Sequence, residues 1–539
     1  MVPDRLLNGA VNCKSNGDPR ALNFQIHTCA LAGNAVPFVE IQNMKISIQS
    51  MMERSGVTFG TSGARGLATA MTDLVCFAYT RGFLRFLESL GEPKDRSNAV
   101  AVAGDFRSST GRIMEAVSRA AESAGWSVVN CGRIPSPAVA LYGLEKRIPA
   151  IMVTGSHIPD DRNGIKFNKS SGEILKSDEK GMAGQVVEVD DALFDSAGNF
   201  ARPASTPRRE SAEAVGKYIA RYLDAFGHDA LKGLRIGVYQ HSAVGRDVLV
   251  RILSGLGAEA IPLGRSEKFI PVDTEAIRPE DVELAHAWAR QHQFDSIVSA
   301  DGDSDRPLVS DEQGSWLRGD VAGILCAKFL CADSVCTPVS CNTALEKTGW
   351  FPEVRRTRIG SPYVIAAMME ASAHGAKRVV GYEANGGFLI NSNLDLDSRP
   401  LCALPTRDAA IVILSLLALA RRQGKRISGL AADLPGRFTA SDRLKNFPIE
   451  TSAGILRQFS MGSEVADRQA IEKVFGPLCG PVAAIDRTDG LRVTFSNEEI
   501  IHLRPSGNAP EFRCYSEAGE EERAKVINAR ALDIIRKLC

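Results

Sequence analysis

The fold class of this chain is decided by residues 98–130, which read NAVAVAGDFRSSTGRIMEAVSRAAESAGWSVVN. The apolar run at 98–103 predicts a short strand, and a polar loop follows it. Apolar residues at helical spacing predict a helix over 110–124, with Gly125 as a typical C-terminal stop. The run at 127–130 predicts the next strand. A strand, a helix and a strand in this order are typical of α/β domains.

The same unit recurs further along the chain. It is seen as a strand over 234–239, a helix over 245–256 and a strand over 258–263, and in weaker form near 378–380. Repeated units of this kind predict α/β domains with mixed or parallel sheets. In such sheets the functional loops gather at the C-terminal ends of the strands.

The C-terminal part of the chain has a different pattern. Apolar runs at 491–495 and 500–503 flank a polar turn and predict a hairpin, and a further strand is predicted over 511–515. A helix from about Glu520 closes what we expect to be a smaller α+β domain. A Pro-rich linker is expected at 201–207. The predicted ranges are 1–43 for an irregular N-terminal extension, 44–200 for domain I, 201–314 for domain II, 315–432 for domain III and 433–539 for domain IV.

The composition is that of an ordinary globular protein, because 44% of the 539 residues are apolar and 24% are charged. Basic and acidic residues number 64 each, so the net charge is zero and the basic excess of a nucleic-acid binder is missing. The longest apolar stretch, 409–420, is shorter than the roughly 20 residues of a membrane span and predicts a buried helix. The 12 cysteines form no CxxC pair, and no signal peptide is evident. We expect a cytoplasmic protein with reduced thiols and a small-molecule partner.

The clearest chemical signal is the hexapeptide DGDSDR at residues 301–306, which follows an apolar run at 296–300. Carboxylates at alternating positions can converge on one hard cation. An EF-hand begins in the same way but requires Gly at position six, where this chain has Arg306, and the next residues, 307–309, predict a strand. The simple alternative is a solvated acidic turn, although three clustered carboxylates repel one another without a cation. The arginine suggests that a phosphate lies nearby.

A second loop, residues 154–159 (TGSHIP), follows the apolar run at 150–153. It places Ser156 beside His157 at the end of a predicted strand, with Lys166 ten positions on. This arrangement predicts a nucleophile or phosphoryl acceptor. A Ser-His pair alone is more often structural.

Two further loops offer groups for binding. Residues 504–510 (RPSGNAP) lie between two predicted strands and combine a hydroxyl, an amide and a glycine with Arg504 and the nearby Arg513, which suits an anion. Residues 381–387 (GYEANGG) offer a carboxylate and an amide suited to sugar hydroxyls. A polar turn and a Gly-rich turn are the respective alternatives.

These four loops, in this order, resemble those of the α-D-phosphohexomutase family, the phosphomannomutase and phosphoglucomutase enzymes. The segment at 59–66, FGTSGARG, matches the FGTSGxRG start of that family, and the resemblance runs from about Val57 to the C-terminus. It implies three α/β domains and a smaller α+β domain around a central cleft. It also implies Mg²⁺, a phosphoserine enzyme, a hexose 1,6-bisphosphate intermediate or activator, and a monomer or dimer.

The resemblance further implies an isomerase that interconverts 6-phospho and 1-phospho sugars, with mannose as the first expectation. Phosphoglucomutase or phosphoglucosamine mutase activity is the alternative. A non-catalytic sugar-phosphate-binding protein is the alternative from another class, and a hydrolase would need water to reach the phosphoserine. The implied catalytic residues are Ser156, Lys166, Arg65, His157 and Arg306, the metal site is Asp301, Asp303, Asp305 and Ser156, and the substrate-binding residues are Glu383, Asn385, Arg504, Ser506, Gly507, Asn508 and Arg513.

Several residues depart from the family pattern, mostly where the sugar and its phosphate would be held, whereas the phosphoryl-transfer residues are kept. The departures are Gly155 for Ala, Ile158 for Asn, Ser361 for His, Asn385 for Ser, Gly387 for His, Asn508 for Thr and Ala509 for Glu. Hexose identity is therefore the property that these positions affect most.

Overall fold

A computed structural model of the chain describes residues 43–60, 63–92, 98–203, 208–506 and 511–538. The extension expected over 1–43 lies outside the described residues except for Asn43. Four sheets in successive parts of the chain form the framework. We call the parts that carry them domains I to IV.

Domain I contains a mixed sheet in the order β2-β3-β7-β6-β4-β5 and a separate antiparallel pair, β1 and β9. Strand β4 is a continuous apolar run with parallel neighbours on both sides, as expected for a strand buried on both faces. The elements are β1 (Asn43–Ser47), α1 (Ile48–Ser55), β2 (Thr58–Phe59), β3 (Ala64–Leu67), α2 (Asp73–Ser89), β4 (Ala99–Gly104), α3 (Thr110–Ser123), β5 (Ser127–Arg133), α4 (Ser136–Lys146), β6 (Ala150–Val153), β7 (Arg162–Lys169), β8 (Gly172–Glu173), α5 (Lys176–Ala183) and β9 (Val186–Asp190).

Domain II has a four-stranded sheet in the order β11-β10-β12-β13, in which the last pair is antiparallel. This pairing rules out an EF-hand, because the residues after the acidic loop form a strand that returns beside β12 rather than a helix. The elements are α6 (Glu213–Phe226), β10 (Arg235–His241), α7 (Arg246–Gly255), β11 (Glu259–Arg265), α8 (Pro279–His292), β12 (Ser296–Ala300) and β13 (Pro307–Val309).

Domain III has a five-stranded mixed sheet in the order β15-β14-β16-β17-β20 and a small hairpin, β18-β19. Helix α12 begins with every residue from Ala409 to Ala420 buried, which confirms the buried helix predicted from its apolar run. The elements are α9 (Gly319–Phe329), β14 (Ser334–Pro338), α10 (Ala344–Lys347), β15 (Glu353–Thr357), α11 (Ser361–Ala373), β16 (Val379–Tyr382), β17 (Phe388–Ile390), β18 (Leu394–Leu396), β19 (Arg399–Leu401), β20 (Leu404–Asp408), α12 (Ala409–Gln423) and α13 (Ile427–Ala432).

Domain IV is the smaller α+β domain, with a five-stranded antiparallel sheet in the order β21-β25-β24-β23-β22. The predicted hairpin corresponds to β23 and β24. The elements are β21 (Phe438–Lys445), α14 (Ile449–Gln458), α15 (Glu464–Cys479), β22 (Val482–Asp486), β23 (Leu491–Phe495), β24 (Ile500–Pro505), β25 (Glu511–Ala518) and α16 (Glu521–Lys537).

The first three sheets share one arrangement around their functional loops. In each, a central strand (β4, β10 or β14) has two parallel neighbours, and one of these neighbours turns back into an antiparallel strand. The turning pairs are β6-β7, β12-β13 and β16-β17. The loops that close these pairs are residues 154–159, 301–306 and 381–387 of the sequence analysis. We call them the serine loop, the acidic loop and the sugar loop. Among the described residues, no helix is both long and apolar enough to cross a bilayer.

Candidate active site

Ser156 lies in the loop between β6 and β7, and its side chain is buried. Its φ of 56° is in the left-handed region, where a residue other than glycine must be held by its surroundings. Its Oγ donates a hydrogen bond to Oδ2 of Asp301 at 2.5 Å, and Nδ1 of His157 lies 3.4 Å from the same Oγ. The fold therefore brings the serine loop of domain I against the acidic loop of domain II.

Arg107 and Asp105, which follow β4, hold the serine loop in shape. The Arg107 guanidinium is buried and donates to the carbonyl oxygens of Ser156 at 2.8 Å and Pro159 at 2.6 Å. Its Nε lies 3.2 Å from Oδ2 of Asp105. That Oδ2 also accepts from Oγ1 of Thr154, which in turn accepts from the Ser156 amide, both at 2.7 Å. This network fixes the left-handed backbone at Ser156.

The acidic loop gathers three buried carboxylates. Asp301, Asp303 and Asp305 each place an oxygen within 4.8 Å of the other two. Burial, together with the charges of Asp303 and Asp305, raises the pKa of Asp301 well above its usual range. Lys166 of β7 opposes this repulsion, because its Nζ lies 2.5 Å from Oδ2 of Asp303 and 2.6 Å from Oδ2 of Asp305.

The remaining oxygen atoms fit a divalent cation. Oδ1 of Asp303 and Oδ1 of Asp305 are buried and accept no hydrogen bond from any described residue. Carboxylate oxygens are the ligands that Mg²⁺ and similar hard cations prefer. Asp301, Asp303 and Asp305, with the adjacent Ser156 oxygen, are thus the residues that would hold such an ion.

The backbone of the acidic loop is anchored from two neighbouring segments. The amide of Ser136, at the start of α4, donates to the Asp303 carbonyl at 2.9 Å. Gly302 packs so closely that a β-carbon there would lie 2.7 Å from the Ser156 carbonyl oxygen. The last residue of β10 and the turn that follows it supply three more bonds: His241 Nε2 to Ala300 O at 2.7 Å, Val244 N to Gly302 O at 3.0 Å and Gly245 N to Ser304 Oγ at 2.9 Å.

Two arginines, Arg306 and Arg65, and His157 lie close to the acidic loop. Nη1 of Arg306 lies 2.9 Å from Nδ1 of His157, so the histidine accepts this bond and is neutral. Burial, assisted by the charges of Arg306 and Arg65, lowers the pKa of His157 well below its usual value. Burial also lowers the pKa of Arg65 to about 10, with the charges of Arg306 and Arg407 acting in the same direction. Arg65 is thus unusually able, for an arginine, to exchange a proton.

The sugar loop closes the end of the β16-β17 pair. The Glu383 side chain is buried and its Oε2 accepts from Nη1 of Arg407 at 3.3 Å. The Asn385 side chain is turned inward, and its Oδ1 accepts from the Gly387 amide at 2.9 Å. The Asn385 carbonyl accepts from Oγ1 of Thr274 at 2.7 Å, which connects this loop to domain II.

Two facing arginines lie at the predicted phosphate loop, one at its start and one on the strand that follows it. Arg504 and Arg513 stand opposite each other on β24 and β25. Arg504 pairs with Asp489 at 2.9 Å, and Arg513 pairs with Glu511 at 3.3 Å. Ser506 is buried, and its amide donates to the Glu511 carbonyl. Gly507 and Asn508, and likewise Thr61 and Ser62 of the opening motif, lie outside the described residues.

Sequence reasoning missed several residues that shape this site. Arg107 and Arg407 are among the largest fully buried side chains, yet each belongs to no recognised motif. Ser361, seen in the sequence only as a departure, is buried and donates to Oε2 of Glu173 at 3.1 Å. The sequence did contain one weak signal for Arg407. Thr406 and Arg407 lie between the apolar segment at 401–405 and the buried helix α12, where polar residues are unusual.

Comparisons with known proteins show the family of this chain. Models of the phosphoglucomutase/phosphomannomutase α/β/α domains I, II and III match residues 56–191, 216–314 and 318–438. A phosphomannomutase from Salmonella muenchen is 43% identical over 88% of this chain and 94% of its own length. One from Sinorhizobium fredii is also 43% identical, over 89% of this chain and 99% of its own length.

Solved structures show the same fold. A phosphoglucomutase/phosphomannomutase family protein from Burkholderia thailandensis has a TM-score of 0.66 at 20% identity, covering 88% of this chain and 97% of its own. The Paramecium phosphoglucomutase parafusin has a TM-score of 0.62 at 15% identity, covering 88% of this chain and 94% of its own. The chain therefore belongs to the phosphoglucomutase/phosphomannomutase family and is a hexose phosphate mutase.

Proposed function

We propose that this chain is a Mg²⁺-dependent phosphomannomutase in which Ser156 carries the transferred phosphoryl group. The observation that carries this proposal is the contact between Oγ of Ser156 and Oδ2 of Asp301, inside a buried cluster of three carboxylates and one lysine. The two phosphomannomutases that are 43% identical to the chain support mannose as the sugar.

The chemistry begins with a phosphoryl group on Ser156 and a hexose 6-phosphate in the cleft. The sugar 1-hydroxyl attacks phosphorus, the bond from phosphorus to the serine oxygen breaks, and a hexose 1,6-bisphosphate forms. This intermediate reorients and returns its 6-phosphoryl group to Ser156, leaving hexose 1-phosphate. The overall reaction is therefore an isomerisation.

In each transfer the attacking hydroxyl gives up a proton and the departing oxygen takes one up, so a group that exchanges protons is needed. We assign this role to Arg65, whose pKa is lowered to about 10. Lys166 is held between Asp303 and Asp305 and contributes positive charge at the transfer site. Arg306 donates to Nδ1 of the neutral His157, whose ring lies beside the serine oxygen, and its positive charge can stabilise the phosphoryl oxygens.

Mg²⁺ bound by Asp301, Asp303 and Asp305 would supply charge stabilisation to the phosphoryl oxygens. Lys166 fixes the orientation of two of these carboxylates by engaging their Oδ2 atoms. Glu383 and Asn385 are assigned to the sugar hydroxyls. Arg504, Ser506, Gly507, Asn508 and Arg513 are assigned to the phosphate that is not reacting.

Turnover measured in parallel on mannose 1-phosphate, glucose 1-phosphate and glucosamine 1-phosphate tests the proposal. We expect the highest kcat/KM with mannose 1-phosphate. A preference for glucose or glucosamine would assign the chain to phosphoglucomutase or phosphoglucosamine mutase instead. Mass spectrometry of the peptide that contains Ser156 should detect phosphate, and its absence in active enzyme would contradict the serine assignment.

We further propose that the protein acts in the cytoplasm as a monomer or dimer. The nine cysteines within the described residues are free thiols, which supports a reducing compartment. We also keep, as a proposal, domain boundaries near residues 201, 315 and 433, since each falls between two of the sheets.

A further inference from the structure

Arg407 connects two functional loops that come from different domains. It lies in β20, and its side chain is 2% exposed. One terminal nitrogen, Nη2, lies 3.1 Å from Oδ2 of Asp305 in the acidic loop, and the other, Nη1, lies 3.3 Å from Oε2 of Glu383 in the sugar loop. One rigid, planar cation therefore touches both loops at once.

The two contacts of Arg407 differ in how much each carboxylate depends on them. Asp305 also receives Nζ of Lys166 at 2.6 Å on the same oxygen atom, so it keeps a cationic partner if the arginine is removed. Glu383 has Arg407 as its ion-pair partner among the described residues, and its own side chain is 4% exposed. A buried carboxylate that loses its cation is strongly disfavoured in the charged form. The position of the Glu383 carboxylate thus depends on Arg407 more than the position of the Asp305 carboxylate does.

Gly387 makes the room that Arg407 occupies. A β-carbon at Gly387 would lie 2.6 Å from Cδ and 2.8 Å from Cγ of Arg407, which is closer than such atoms can approach. The absence of a side chain at this position, where the family pattern has His, is thus explained by the arginine beside it.

We propose that Arg407 is a positioning residue for sugar recognition, which orients the Glu383 carboxylate and fixes the sugar loop to the acidic loop. This inference rests on the proposed function, because it assigns Glu383 to the substrate. Arg407 acts through Glu383, and Gly387 is its steric partner. The Arg407 side chain therefore fills the space that a side chain at position 387 of the sugar loop would otherwise occupy.

The proposal predicts a specific effect on binding. In Arg407→Ala, the KM for the sugar phosphate should rise by about tenfold to a hundredfold, the range of a lost charge-assisted contact, with a smaller effect on kcat. Mg²⁺ affinity should change by less than about threefold, because Lys166 still holds Asp305. A role confined to the acidic loop predicts the reverse, which is weaker Mg²⁺ binding and an unchanged KM.

A double-mutant cycle separates positioning from general damage. Gly387→Ala should raise KM in the same direction as Arg407→Ala, because the new methyl group displaces the arginine. In the double variant this clash is gone, so its KM should be no higher than that of Arg407→Ala alone. Independent, multiplying effects would overturn the proposal. Arg407→Lys, which keeps the charge, should recover part of the affinity and serves if the alanine variant does not fold.

Two matched controls lie in domain I. Arg112→Ala breaks the pair between Arg112 and the buried Asp73 at 2.7 Å, and Gly82→Ala places a β-carbon 2.9 Å from Ile48. Both should lower thermal stability and leave KM unchanged. If they raise KM as much as the Arg407 and Gly387 variants do, the effect is not specific and the proposal is wrong.

The binding measurement can be made without turnover. In a Ser156→Ala background, mannose 1-phosphate and glucose 1-phosphate are titrated by calorimetry with and without Arg407→Ala. Lower affinity for the sugar that binds is expected, and equal affinity would overturn the inference. Failure of the proposed function would give a different result. The wild-type enzyme would then neither bind nor turn over mannose 1-phosphate or mannose 6-phosphate.

Discussion

Gly155 packs directly against the guanidinium of Arg107, and a β-carbon at Gly155 would lie 2.6 Å from its Cζ. The arginine cannot move aside easily, since its nitrogens are engaged by the carbonyl oxygens of the serine loop and by Asp105, and the ring of Phe269 lies 4.1 Å away on one face. The glycine that precedes the serine, a departure from the family pattern, is thus required by the buried cation beside it.

Gly155→Ala should therefore disturb the serine loop. We expect a loss of roughly 1–3 kcal/mol in stability, the usual cost of overpacking, together with a large fall in kcat. Thermal denaturation and steady-state kinetics measure the two effects. Gly184→Ala is a suitable control, because its β-carbon would approach nothing closer than 3.6 Å. A fully active and stable Gly155→Ala enzyme would show that Arg107 adjusts freely.

Ser156→Ala should abolish phosphoryl transfer while the fold remains. The serine Oγ is the atom assigned to carry phosphate, so turnover should fall to below about 1% of wild type. Binding of mannose 1-phosphate, measured by calorimetry, should remain within a few-fold of wild type. Near-normal turnover would sink the phosphoserine assignment.

Asp303→Asn should weaken Mg²⁺ binding and turnover together. Removing one of three carboxylate charges is expected to lower metal affinity by at least about tenfold. Isothermal titration with Mg²⁺ and activity after chelation measure this. Asp433→Asn, at a surface pair with Lys425, should behave as wild type. If chelated wild-type enzyme is as active as metal-loaded enzyme, the metal site is assigned wrongly.

Arg504→Ala should weaken binding of the 1-phosphate and the 6-phosphate sugar by similar factors. In the proposed mechanism the substrate binds in two orientations, so the site for the non-reacting phosphate must accept either end. A charge-assisted contact contributes roughly 1.5–3 kcal/mol, which corresponds to about tenfold to a hundredfold in affinity. Titration with both isomers tests this, with Arg487→Ala as a control in the same domain. Loss for one isomer alone would contradict a shared site.

His502 should make the protein less stable in acid. Its Nε2 donates to the Asp489 carbonyl at 2.6 Å, and burial lowers its pKa to about 4. In the unfolded chain His502 takes up a proton below about pH 6.5, whereas in the folded protein it does so only below about pH 4. The free energy of unfolding therefore falls as the pH decreases from about 6.5 to about 4. The shift corresponds to roughly 3 kcal/mol.

Urea unfolding of wild type and His502→Gln at pH 7.5 and pH 4.5 measures this effect. The variant keeps a hydrogen-bond donor and lacks the titrating ring, so its stability should fall less between the two pH values. An equal fall in both proteins would assign the acid sensitivity to other groups.

The sequence was sufficient for the strands that precede the serine and acidic loops, whereas β7 and β17, which follow the serine and sugar loops, were not predicted. The apolar run of β6 is followed by the polar Thr154, which marks the end of the strand. The predicted strand over 307–309 is observed with the same bounds. The helix at Thr110–Ser123 differs from its prediction by one residue. These elements follow local patterns of burial, which is why a single segment reveals them.

The contacts of buried arginines could not be predicted in this way. Arg407 meets Asp305 across about a hundred positions of chain, and Arg107 meets carbonyl oxygens that offer no signal in a sequence. From the sequence alone, a charged residue beside an apolar run is expected to be exposed to solvent. Its burial can be inferred only when the positions of its partners are known. The roles of Gly155 and Gly387 were missed for the same reason, because a missing side chain is explained only by what stands next to it.

The shared position of the serine, acidic and sugar loops in three similar sheets has an evolutionary consequence. A protein built from one repeated module can alter the hairpin proposed to bind the sugar while the hairpins proposed to transfer phosphate stay unchanged. Diversification of substrate then needs few mutations and leaves the reaction intact. Arg407 limits that freedom in this chain, because a side chain at Gly387 would displace an arginine that also contacts the acidic loop.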